Sequence, residues 1–304
     1  MRYSLRQMQI FQEVAAQLSY TRAAEALNLT QPATFAQVRQ LEEHLGQKLI
    51  DRLGKTLSLT QAGEIVLASA QRLIEETANL DMALAEMQGL ATGRLRLAVV
   101  STAKYEIPAR IGTFNCEFPG IEIALTVGNR EELLSRFAAN ADDLYILGTP
   151  PQDMDAEIER YSENPLVVVA PRDHPLTTRS GLTMRDLAEY PFLMRESGSG
   201  TRLAAERSFE AAGTAPNVRM ELGANESVKQ GVIAGLGVAV LSRGTVTLEL
   251  RHGYLLELPV EPFPIIRHWH VAWRKGKKLS LAADAFVDRL LTSSSGNSGT
   301  CEVH

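Results

Sequence analysis

The chain of 304 residues is poor in the features that mark several large protein classes. It has only two cysteines, Cys116 and Cys301, which lie far apart and match no metal or disulfide framework. A reducing cytoplasm is therefore the expected setting. No apolar run approaches the ~20 residues needed to cross a bilayer, so no membrane partner is expected. The N-terminal residues are polar and amphipathic, unlike a signal peptide, which argues against a secreted solute-binding protein. Bulk positive charge is also missing: the net charge is −5, which argues against a generic polyanion binder. There is no P-loop and no complete dinucleotide fingerprint. No Ser-His-Asp, paired-carboxylate or metal constellation is evident, so neither catalysis nor a resident cofactor is expected. His268 and His270 would share one strand face across Trp269, but a third metal ligand is missing and packing is the simpler role.

What is present starts at the N-terminus. Ser4 and Gln7 have capping-box spacing, and Leu5, Met8, Phe11, Val14, Ala15 and Leu18 form one apolar stripe. Residues 20–45, YTRAAEALNLTQPATFAQVRQLEEHL, read as two short helices joined at Asn28. Ser19 or Thr21 caps the first, whose inward residues are Ala23, Ala24 and Leu27. Thr30 or Gln31 caps the second, and Pro32 sits where a first-turn proline is tolerated. Val38, Leu41 and Leu45 share one face, leaving Pro32, Ala33, Ala36, Gln37 and Gln40 outward. This is the layout of a helix-turn-helix, which lays one helix in the major groove of double-stranded DNA. Small outward residues permit close approach and Gln can pair bidentately with adenine; an ordinary helical hairpin is the alternative. Residues 48–59 alternate about Gly54-Lys55, as in a hairpin wing whose Arg52 and Lys55 would meet phosphate or a minor groove. Residues 1–60 hold seven Lys or Arg against five Asp or Glu, a net of +2, and the remainder 24 against 31, a net of −7. The excess of positive charge is confined to the helix-turn-helix end and is modest there, so specificity must come from base contacts and multivalent binding.

Thr60 opens a long helix in which Val66, Leu73, Leu80 and Met87 are spaced by seven, with Ala70, Thr77 and Leu84 between. That is the seam of a paired helix, or of a helix packed on its own domain. Gly89, Thr92 and Gly93 would end it as a hinge. From Arg94 strands at 94–100, 121–127, 144–147 and 164–170 alternate with helices at 108–117 and 131–139, implying α/β units with largely parallel sheets. Ligands of such sheets bind beyond the carboxyl ends of strands. Ser101 and Thr102 occupy one such end. Residues 195–202, RESGSGTR, open a second helix whose N–H groups and Arg202 suit an anion, and Asn225-Glu226-Ser227 opens a third. Each alone could be a plain helix cap. Arg267, Arg274, Lys275, Lys277 and Lys278 could form another DNA patch, but a solvated turn explains most of them. The tail 292–304 is low in complexity and is expected to be disordered.

The set AAEALNLTQPA, QLEEHLGQKL, the wing through Arg52, LTQAGE, NPLVVVAPRDHPL and VIAGLGVAVLS resembles the LysR-type transcriptional regulators, over nearly the whole chain. STAKY at 101–105, VGNREELL at 127–134, ESGSGTR at 196–202 and PIIRHWHVAWRKGKKLS at 264–280 are similar to the branch that controls Calvin-cycle carbon-fixation operons. The resemblance implies an α/β multidomain protein. Its parts would be a winged helix-turn-helix (1–59), a dimerising linker helix (60–90) and a two-lobed effector domain like a periplasmic binding protein. One lobe would comprise 94–163 plus 268–291 and the other 164–267. It implies DNA contacts from Thr30, Gln31, Pro32, Ala33, Phe35, Gln37, Arg39 and Arg52, to which the wing reading adds Lys55. Phe35 stands where the family has a small hydroxyl residue, and Ala36 where a longer or basic one is common. Phe35 could touch a thymine methyl or turn inward. The implied effector residues are Ser101, Thr102, Thr149, Ser199, Gly200, Thr201, Arg202 and Asn225; Thr149 replaces a commonly larger polar residue. The implied effector is a phosphorylated metabolite such as ribulose bisphosphate or phosphoglycolate, or NADPH. The implied partners are promoter DNA, further copies in a homodimer or homotetramer, and RNA polymerase. A family member serving another operon with a different carboxylate effector is the nearest alternative. An α/β enzyme with an accessory helical domain is a more distant one.

Overall fold

The computed structural model describes residues 3–53, 56–87, 92–151 and 153–292. They fall into two compact units, Met1–Leu90 and Ala91–His304.

In the first unit, helix α1 (Leu5–Gln17) begins with the capping box read from the sequence: Ser4 Oγ accepts from Gln7 N at 3.2 Å, and Gln7 Oε1 from Ser4 N at 2.9 Å. Ser19 caps α2 (Tyr20–Ala26), and Asn28 takes a left-handed φ of 53° in the turn that follows. Asn tolerates that region better than most residues. Thr30 caps α3 (Gln31–Leu45) by accepting from Ala33 N at 3.4 Å. Phe11, Val14, Ala23, Val38, Leu41 and Leu49 close the core between these helices. Strands β1 (Ile50–Leu53) and β2 (Thr56–Leu59) pair antiparallel as the wing. A long helix, α4 (Gln61–Met87), follows, with Thr60 Oγ1 accepting from Gly63 N at 2.9 Å. Gly63 is forced by proximity, since a Cβ there would lie 2.1 Å from the Leu49 carbonyl oxygen. The apolar seam of α4 divides in two. Ala70 is buried against the core with Val66, whereas Leu73, Leu80 and Leu84 are exposed. The side chain of Met87 and the position of Gly89 lie outside the described residues.

The second unit opens with β3 (Thr92–Val100), so Thr92 and Gly93 belong to a strand and not to a hinge. Helix α5 (Ile107–Glu117), β4 (Gly120–Gly128), α6 (Arg130–Ala138), β5 (Leu144–Leu147) and β6 (Ala156–Glu163) follow. The chain then leaves for a second lobe. Its parts are β7 (Leu166–Pro171), β8 (Leu182–Thr183), α7 (Met184–Ala188), β9 (Pro191–Arg195), α8 (Gly200–Ala211) and β10 (Asn217–Leu222), then α9 (Asn225–Ile233), β11 (Ala239–Ser242), α10 (Thr247–Arg251), β12 (Leu255–Leu258) and β13 (Val260–Glu261). It returns as β14 (His268–Arg274) and ends in α11 (Leu281–Thr292), which takes in the first residue of the expected tail; residues 293–304 lie outside the description.

The first lobe holds a five-stranded sheet in the order β4-β3-β5-β14-β6. Its β3, β4 and β5 are parallel, while the returning β14 runs antiparallel to both neighbours. In the second lobe β9 with β10 and β8 with β13 pair parallel, but the three strands β11-β7-β12 are antiparallel, so the expectation of largely parallel sheets is corrected for that sheet. Alternate side chains of β7 serve opposite faces. Leu166, Val168 and Ala170 enter the core beside Phe209 of α8, while Val167 and Val169 enter the one beside Val228 and Val232 of α9. Such an all-apolar strand reads the same from sequence whether its partners are parallel or antiparallel. Cys116 on α5 is disulfide-bonded, contrary to the expectation that the cysteines match no disulfide framework.

Candidate functional sites

On the first unit, Thr30, Gln31, Pro32, Ala33, Phe35 and Arg39 are exposed on α3 and its cap, and Gln37 is half-buried. Arg52 is exposed on the wing, and Lys55 lies outside the described residues. Arg39 pairs with Glu43 at 3.3 Å, an exposed contact that a phosphate could replace at little cost. Two supporting bonds were not legible in the sequence. Buried Gln7 donates to Gln40 at 2.9 Å, linking α1 to α3. Glu42 Oε1 accepts from Leu49 N at 2.7 Å and Ile50 N at 3.1 Å, fixing α3 against the start of the wing. Phe35 neither turns inward nor stands free. Its ring meets that of Tyr20 edge-on, with centroids 5.2 Å apart and planes at 70°.

On the second unit, the carboxyl ends of the three parallel strands converge. Ser101-Thr102 follows β3, Asn129-Arg130 follows β4 and Gly148-Thr149 follows β5; the amino end of α8 faces them with Ser199, Gly200 and Thr201. Together with Val100, Asn164, Arg195 and Arg267 they line one tight pocket of about 20 Å³. Six of the eight expected effector residues are therefore brought together. Arg202 and Asn225 are not among the lining residues. The Arg202 guanidinium is paired with Glu206 at 2.7 Å and with Glu221, and donates to the Arg195 carbonyl at 3.1 Å. Asn225 is fully buried behind the pocket, donating to the Ser101 carbonyl at 3.3 Å and accepting from Arg195.

The pocket's strongest groups are cations outside the expected set. Arg195 is buried at the end of β9, paired with Glu196 at 2.7 Å, and donates to Ser101 Oγ at 3.1 Å. Arg267 is not in a solvated turn. Its side chain passes over Gly148, where an added Cβ would lie 2.9 Å from Nη2, and donates to the Gly200 carbonyl at 3.1 Å. Its Nε is buried without a hydrogen-bond partner. Burial lowers the Arg267 pKa to about 10, and Arg130 and Arg207 push it the same way. Arg130 donates to the Thr149 carbonyl at 3.3 Å. Neither Arg130 nor Arg267 has a carboxylate partner among the described residues. Two uncompensated guanidinium groups beside Ser, Thr and backbone donors make a receptor for an anion. A strand-end arginine before a Ser-Gly helix start was a readable signal for Arg195. Arg267 had none, because its burial depends on where the chain recrosses between lobes.

No helix among the described residues is long and apolar enough to cross a membrane, and they contain no cluster able to hold a metal ion. Residues 5–64 match the family model for the bacterial regulatory helix-turn-helix protein, lysR family, and residues 88–295 match the LysR substrate binding domain. A RuBisCO operon transcriptional regulator from Acidithiobacillus ferrooxidans is 46% identical over 96% of this chain and 94% of its own. The HTH-type transcriptional activator CmpR of Synechocystis sp. is 42% identical over 94% of both chains. Among solved structures, the Synechocystis CcmR regulatory domain in complex with 2-PG is 44% identical, covers 67% of this chain and 98% of its own, and has a TM-score of 0.65. A full-length OxyR variant from Pseudomonas aeruginosa, at 23% identity, shows the same fold over 97% of this chain and 95% of its own, with a TM-score of 0.73. These families and relatives are transcriptional regulators and not enzymes. The chain belongs to the LysR family of DNA-binding bacterial transcriptional regulators.

Proposed function

We propose that this protein regulates carbon-fixation genes and that a small dianionic metabolite, 2-phosphoglycolate first among the candidates, gates its DNA binding from the pocket between the lobes. The observation that carries this reading is Arg267, a guanidinium with a buried, unpartnered Nε and no carboxylate partner, beside Arg130 and the Ser101 and Gly200 strand and helix ends. A buried charge is stable only when paired, and a bound phosphate or carboxylate supplies the pair. The similarity to regulators named for the RuBisCO operon and to a domain solved with 2-PG supports the choice of genes and of ligand. Ser101, Thr102, Thr149, Ser199, Gly200 and Thr201 contact the anion in this reading, while Arg202 and Asn225 support the pocket from outside.

Residues 1–59 read the promoter, using the α3 surface and the wing. Residues 60–90 pair two copies through Leu73, Leu80 and Leu84, whose exposure on one helix supports an unmet partner surface. Pairing holds two recognition helices about 34 Å apart, or a multiple of that distance. The lobes 94–163 with 268–291, and 164–267, form the sensor.

Calorimetry of the full-length protein with 2-phosphoglycolate, ribulose bisphosphate and NADPH tests the sensor. At least one should bind saturably, and Arg267→Ala should weaken it by ~30-fold or more, as expected for loss of a charge-assisted contact. Equal binding by wild type and Arg267→Ala would contradict this placement.

A further inference from the structure

Among the groove-facing residues of α3, Phe35 is the one whose chemistry is unlike its neighbours'. It is 45% exposed, whereas Thr34 beside it is fully buried in the helical core. It lies one turn from Gln31 and Arg39, both exposed, so it shares their side of the helix. Pro32 and Ala36 flank it with little bulk, so the ring stands out from the surface. The ring is also held. Tyr20, packed against the helical core, meets it edge-on at 5.2 Å. A side chain braced in this way has less rotamer freedom to lose on binding.

We propose that Phe35, braced by Tyr20, reads the 5-methyl group of thymine in the major groove and so sets promoter specificity. A phenyl ring can neither donate nor accept a hydrogen bond from a base edge. The apolar feature that the major groove offers it is the thymine methyl group. A ring serving only to pack α2 on α3 would be buried like Thr34; this one leaves nearly half its surface open on the face that reads DNA. The inference rests on α3 being the recognition helix.

The test uses the full-length protein and a duplex that it selects from a random library. Each thymine is replaced in turn by deoxyuridine, which removes the methyl and keeps every hydrogen-bonding group. Wild type should lose about fourfold in affinity at one or two positions per half-site, the value of one methyl-sized apolar group. Phe35→Ser should still bind and should lose that sensitivity at the same positions. Tyr20→Phe should keep the sensitivity, and Tyr20→Ala should blunt it. Sequence-selective binding with no methyl effect, or the same effect in Phe35→Ser, overturns this inference alone. No sequence preference at all would overturn the recognition-helix reading and this inference with it.

Discussion

The Tyr105 hydroxyl donates to Glu226 Oε1 across 2.7 Å, fastening the segment after β3 to the start of α9 and so one lobe to the other. Lys104 reaches the same carboxylate at 2.8 Å. Lys229 lies 5.0 Å from the centre of the Tyr105 ring and pairs with Glu249 at 2.7 Å. None of these residues lines the pocket. The latch therefore holds the lobes together without using any group that lines the pocket.

Glu226→Gln keeps the shape and removes the charge. Such half-exposed pairs contribute ~0.2–1 kcal/mol, so anion affinity should fall by up to about fivefold through weaker closure. Calorimetry on Glu226→Gln and Tyr105→Phe checks this; unchanged affinity in both would show that the latch is not coupled to the pocket.

The latch also predicts a pH window. Burial pushes the Glu226 carboxyl up, but the hydrogen bonds from Lys104 and Tyr105 outweigh it and hold the pKa at about 2, below its ordinary 4.5. A group with a depressed folded pKa stabilises the fold above its unfolded pKa, and that stability is lost as pH falls from 4.5 towards 2. Between those limits wild type should lose stability more steeply than Glu226→Gln in thermal melts at stepped pH. Parallel curves would contradict the assignment.

Arg202→Ala should leave anion affinity within about twofold of wild type, because Glu206 and Glu221 already occupy the guanidinium. It should lower the melting temperature slightly. A loss as large as that of Arg267→Ala would mean that Arg202 swings into the pocket.

Much of this was legible in the sequence, and the limits have physical causes. The caps at Ser4, Ser19, Thr30 and Thr60 could be read because capping depends on residues three apart. Ser101 and Thr102 could be placed because a strand's carboxyl end is a local feature. Arg267 could not, since a cation in a basic, loop-like stretch looks solvated until the second crossing between lobes is known. Strand β6 was missed because its ordinary apolar signal is absent: of Ala156–Glu163 only Tyr161 is fully buried. Val66 and Ala70 fitted a pairing seam and instead pack on their own domain, because a heptad pattern cannot say which surface it meets.

The exposed half of that seam carries its own prediction. Leu80 is 59% exposed and Leu84 50%. Leu80→Glu should halve the mass of the pairing unit in sedimentation and weaken promoter binding by ~100-fold, since two half-sites are no longer engaged together. An unchanged mass would place the copy-to-copy interface elsewhere.

The central claim, that an anion between the lobes gates DNA reading, is tested most directly by fluorescence anisotropy at fixed salt. The probe is labelled DNA from beside the protein's own gene, titrated with and without 2-phosphoglycolate, for wild type and Arg267→Ala. The account predicts sequence-selective binding by both, an effector-dependent shift of about fivefold or more in wild type, and no shift in Arg267→Ala. An equal shift in both proteins would contradict it.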